Sequence, residues 1–70
     1  MAKNWGEIID RLIEERRSKG ITQIDLARAT GYTQSVIARL ESKKTVPQLD
    51  TLLKVATALG CSLEIVPSGK

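Results

Sequence analysis

The stretch Gln23-Ile24-Asp25-Leu26-Ala27-Arg28-Ala29-Thr30-Gly31-Tyr32-Thr33-Gln34-Ser35-Val36-Ile37-Ala38-Arg39-Leu40-Glu41 divides at Gly31 into two short helical patterns. Thr22, with Asp25 three residues on, is an N-cap signal, and Ile24, Leu26 and Ala27 precede the stop at Gly31; the spacing predicts a helix over 23–30. Thr33 is the next cap, and residues 34–42 carry the following helix. Placed at about 100° per residue with Gln34 at zero, Ala38, Ser42, Ser35 and Arg39 share an outward arc of about 140° with it, while Ile37 and Leu40 fall almost opposite. A helix that is only solvated more often carries Glu/Lys pairs on such a face. Here the face offers an amide, a hydroxyl, a methyl and a guanidinium. Those groups can address base edges: glutamine to adenine, arginine to guanine in bidentate fashion, alanine to the thymine methyl.

Outward from this pair, the chain supplies two more helices and a tail. Asn4 with Glu7 caps a helix of about residues 5–19, along which Trp5, Ile8, Ile9, Leu12 and Ile13 follow amphipathic spacing and which Gly20 closes. Pro47 keeps residues 43–47 a loop by disfavouring helix at Val46. Leu49, Leu52, Leu53, Ala56 and Leu59 then mark a fourth helix that ends at Gly60. Gln48 stands where serine or threonine caps well, so that helix starts with a weak cap. In the tail, Cys61, Leu63 and Ile65 alternate with polar residues, which predicts a short strand over 61–66.

Composition limits what such a chain can do. Of 70 residues, 41% are hydrophobic, and 11 Lys+Arg against 8 Asp+Glu give a net charge of +3. That is one domain, and a chain of this size buries only about 60% of its unfolded surface, with a core worth about 3–5 kcal/mol. A single cysteine forms no internal disulfide, and with no histidine neither a zinc site nor an imidazole base is at hand. No cofactor, metal or catalytic residue is expected, and Ser42 beside Lys43 is no Ser–Lys dyad, since adjacent helical residues point apart. With only Trp5 and Tyr32 as aromatics, readers that stack single-stranded bases are disfavoured. No run is apolar enough for a membrane span and no secretory signature opens the chain, so the expected location is the cytoplasm and no membrane partner is expected. Of the excess charge, +2 falls in residues 21–47, where Arg28, Arg39, Lys43 and Lys44 face Asp25 and Glu41.

Read together, residues 23–41 resemble the helix-turn-helix of the phage repressor and Cro-like family, also called the XRE family. The similarity runs over residues 8–60 and includes Pro47-x-Leu49-x-Thr51-Leu52-Leu53-Lys54-Val55-Ala56-x-Ala58-Leu59-Gly60. A small Ala27 suits a close crossing of the two helices, Gly31 a left-handed turn, and Ile37 and Leu40 a core contact. The resemblance implies an all-α, four-helix, lambda-repressor-like domain over residues 1–70, with a short C-terminal strand. It places Gln34, Ser35 and Arg39 where the family reads bases, with Ala38 beside them on the same arc, and Gln23, Thr33, Lys43 and Lys44 where it grips phosphates. Arg16 and Glu41 match a family ion pair that pins the reading helix. Tyr32 stands where a smaller aliphatic is common, and either packs or sets its hydroxyl on a phosphate.

The implied function is a sequence-specific regulator of transcription that binds double-stranded DNA, a repressor acting as a dimer on a palindromic operator with half-sites about 34 Å apart. Pairing of the 61–66 strands across a dyad, with Leu63 and Ile65 in the interface, would make the homodimer; the alternative is a strand folded back on its own domain. The tail also resembles antitoxins of toxin–antitoxin modules. That gives the second reading, an antitoxin that neutralises a toxin protein through helix 1 or the tail and autoregulates its operon.

Overall fold

The computed structural model describes residues 4–65 and 67. Four helices follow one another: α1 (Trp5–Ser18), α2 (Gln23–Thr30), α3 (Gln34–Ser42) and α4 (Leu49–Ala58). Each boundary has a local cause. The Asn4 side chain accepts the Glu7 N–H, and α1 gives way to Gly20 at φ 69°. Thr22 and Asp25 form a reciprocal capping box, and Thr33 accepts the Val36 N–H at the start of α3. Gln48 makes no side-chain cap bond, as its residue type leads one to expect.

The core is aliphatic and drawn from all four helices: Ile9, Leu12, Leu26, Ala27, Ile37, Leu40, Leu52, Val55 and Ala56, with Leu59 just past α4. Trp5, Ile8, Ile13, Ile21 and Tyr32 pack around it half-buried. The Tyr32 ring packs against the core, and the Lys54 ammonium lies 5.3 Å from its centroid. On α4 the inward stripe is Leu52, Val55, Ala56 and Leu59, whereas Leu49 and Leu53 remain exposed at 67% and 44%. The leucines that mark this helix in the sequence therefore divide between core and surface.

The strand expected over 61–66 is not formed. Residues 61–65 have no regular structure, and Val66 lies outside the described residues. Strand geometry persists only where a neighbour completes the ladder. In the single chain the Cys61 N–H instead donates to the Ala56 carbonyl at 2.8 Å, which closes the end of α4. Cys61 and Leu63 fold back onto the core, and Ile65 is fully exposed.

Candidate nucleic-acid interface

Three short-range devices fix the two ends of α2 and the turn into α3. The Thr22 N–H donates to the Asp25 carboxylate and the Asp25 N–H to the Thr22 hydroxyl, both at 3.0 Å. The Thr22 backbone N–H, then its hydroxyl, hold the Asp25 carboxyl below the ordinary value of 3.8; they outweigh a partial loss of solvent, and the Arg28 charge adds the least. At the other end of α2, the buried Thr30 hydroxyl donates to the Leu26 and Ala27 carbonyls and accepts the Tyr32 N–H. Gly31 then turns the chain at φ 79°, a region open to glycine at little cost.

Behind the reading face, α3 is fastened by packing and by charge. Ile37 is fully buried and Leu40 nearly so. Arg16 of α1 donates Nε to Glu41 Oε2 at 2.6 Å and Nη2 to Oε1 at 2.9 Å, and its Nη1 reaches the Ile21 carbonyl at 2.9 Å. Gln23 completes the set, its Nε2 donating to Glu41 Oε1 at 2.9 Å. The Arg16 and Glu41 side chains are 10% and 11% exposed, so the pair is a bidentate clamp in a largely dry setting. One carboxylate thereby ties α1, α2 and α3 together. It is also the only acidic group of α3, and it faces inward.

Gln34, Ser35, Ala38 and Arg39 are all exposed along one side of α3. The structure brings these four expected base-reading residues onto a common surface with no carboxylate among them. Ser42, on the same side, returns its hydroxyl to the Arg39 carbonyl at 2.7 Å. The residues expected at phosphates divide. Thr33 and Lys44 are exposed, Lys44 at the head of the α3–α4 loop. Lys43 caps α3 in the left-handed region at φ 60°, and its ammonium pairs with Asp10 at 2.7 Å. Gln23 is half-buried with its amide engaged by Glu41, a role its position alone does not disclose. Val36 went unmarked in the sequence because it lies off the polar arc. It is 39% exposed and lines an open groove of about 600 Å³ with Ser35, Arg39, Thr45, Pro47 and Gln48.

With this geometry in place, similarity to known proteins becomes specific. A helix-turn-helix family model matches residues 12–66. The chain belongs to the helix-turn-helix family. Within that family it is 47% identical over 60 residues to an uncharacterized HTH-type transcriptional regulator of Haemophilus influenzae, covering 86% of this chain and 61% of the relative. It is 29% identical to antitoxin HigA1 of Mycobacterium tuberculosis over 93% of this chain and 44% of that one. A solved chain titled as a toxin–antitoxin module from Streptococcus pneumoniae superposes with a TM-score of 0.75 at 52% identity, covering 89% of this chain and 68% of the other. This helix-turn-helix chain thus spans about 61% or less of the curated relatives named here. Its family is one of transcriptional regulators with antitoxin relatives. Among the described residues, no helix is long and apolar enough to cross a membrane.

Proposed function

We propose that this chain is a sequence-specific double-stranded DNA-binding regulator, a repressor that occupies a two-fold operator as a dimer in the cytoplasm. The observation that carries this reading is α3 itself. Its exposed side holds Gln34, Ser35, Ala38 and Arg39, and its single carboxylate is turned inward and neutralised by Arg16. Such a surface enters a polyanionic groove without like-charge repulsion and presents hydrogen-bonding groups and a methyl to base edges. Arg39 is the principal discriminating residue, with guanine its target. Thr33 and Lys44 flank α3 and serve the phosphates, and Gln23 serves them through the α2 start that its amide helps to fix.

Selection of bound duplexes from a random pool tests the reading, because an enriched motif reports half-site, spacing and symmetry together. On that motif, Arg39→Ala is expected to reduce discrimination against random duplex by about 1–3 kcal/mol. Equal losses on specific and random DNA would remove Arg39 from base reading, and failure to enrich any motif would remove the function.

A second reading, as an antitoxin, is favoured by the 52% identity to the toxin–antitoxin module chain. Both roles fit one molecule, with α3 on DNA and α1 or the tail on a toxin protein. Coexpression with the neighbouring reading frame tests it: a stable complex that relieves toxicity is expected, and toxicity unchanged by this chain excludes it.

A further inference from the structure

Val36 is an aliphatic residue of α3 that lies outside the core cluster. Ile37 and Leu40 are buried and fill the core, whereas Val36 is 39% exposed on the flank of the same helix. A β-branched residue at an exposed site costs a short helix some stability relative to alanine or lysine, because its χ1 freedom is lost against the preceding turn. About three-fifths of the Val36 surface is covered in the fold, so packing offsets only part of that cost. On a helical wheel Val36 lies on the opposite flank of the reading side from Ala38, and it shares a groove with Ser35 and Arg39 on α3 and with Thr45, Pro47 and Gln48 on the connection to α4. No carboxylate lines this groove, and its cation is Arg39. The groove therefore complements an anionic partner that also carries an apolar feature beside the charge.

A valine side chain has no hydrogen-bonding group, so it distinguishes one base pair from another only through apolar contact. In the major groove the apolar feature is the C5 methyl of thymine. We propose that Val36 is a specificity-determining residue that selects a thymine next to the base pair read by Arg39. This rests on the reading of α3 as the DNA-reading helix. Arg39 and Val36 lie three residues apart, one turn along the same flank, so the two contacts fall on neighbouring base steps.

The test uses the full chain and the duplex enriched by selection, with each thymine replaced in turn by deoxyuridine, which removes the methyl and nothing else. Burial of one methyl-sized group corresponds to about a fourfold change in Kd. The wild-type chain is expected to lose about that factor at one thymine of each half-site. Val36→Ala is expected to lose about the same factor on the thymine duplex and nothing further at that deoxyuridine. Val36→Ser, which removes both γ-methyls and leaves a hydroxyl, is expected to behave like Val36→Ala, and unchanged melting temperatures certify both folds. Equal deoxyuridine effects in wild type and in both variants at every thymine overturn the proposal, as does coupling that attaches to Ala38→Gly instead. If Arg39→Ala still reduces discrimination in that case, the DNA reading stands and only the Val36 assignment falls. If no duplex is enriched, both fall.

Discussion

Gly31 joins α2 to α3 at φ 79°, and a Cβ added there meets nothing within 4 Å. The cost of an alanine at this position is thus conformational and free of steric overlap. Left-handed backbone is unfavourable for an L-residue by about 1–2 kcal/mol, partly offset by the lower entropy of the unfolded alanine chain. Gly31→Ala is expected to destabilise by about 1 kcal/mol and to lower the melting temperature by about 4–8 °C in a domain of this size, measured by thermal unfolding. An unchanged melting temperature would show that the turn relaxes to another conformation. At Asp25 the residue scale reaches into pH. Its carboxyl is held below 3.8 in the folded chain by the Thr22 bonds. A depressed folded value means that this contribution is complete above the unfolded value and is lost as pH falls through the folded one. Denaturant titrations from pH 7 to 3 are expected to show wild type losing stability below pH about 4 more steeply than Asp25→Asn. Parallel curves for the two would assign the acid loss to other carboxylates.

Among the helices, the Arg16–Glu41–Gln23 set decides whether α3 is a fixed reading edge. Arg16 and Glu41 are about one-tenth exposed, so removal of one partner strands the other charge in a poorly solvated place. Arg16→Met is expected to cost about 3 kcal/mol, and Arg16→Met with Glu41→Leu much less, since a buried pair replaced whole by apolar groups is often neutral. A double-mutant cycle by denaturant unfolding measures this, and additive losses would mean that the two groups do not interact. The resemblance to the repressor and Cro-like family implied this pair, and the structure has it as a bidentate contact between α1 and α3. The sequence itself foretold the four helices, whose caps at Asn4, Thr22 and Thr33 and stops at Gly20 and Gly31 are local signals. Less legible was what depends on neighbours distant in sequence. Gln23 has the residue type and position of a cap-region side chain, and only the approach of Glu41, 18 residues on, gives its amide a partner. Leu53 and Val55 are equivalent by composition, and the docking of α4 against α2 buries one and exposes the other. The tail alternates like a strand, but a ladder is a property of two segments, and alternation in one of them does not supply the second.

At the scale of the whole molecule, the core is small and the remaining apolar surface is specific. Among the described residues, ten buried hydrophobic ones hold the four helices, while Val46, Leu49, Leu53 and Ile65 leave apolar area in water. Both facts favour self-association, since covering such area adds stability that a core of about 3–5 kcal/mol lacks. The two tail residues expected at a dimer interface have different environments. Leu63 packs half-buried against its own domain, and Ile65 stands fully exposed beside it. They should therefore respond differently to the same change. Leu63→Asp is expected to lower the stability of the isolated domain at every concentration, because it places a charge against the core. Ile65→Asp is expected to leave that stability intact while shifting a dimer to monomers and removing the rise of melting temperature with protein concentration. Sedimentation equilibrium together with thermal unfolding over a hundredfold range of concentration separates the two effects. A dimer that survives Ile65→Asp would move the interface away from the tail, and Leu49→Asp would then be the variant expected to break it.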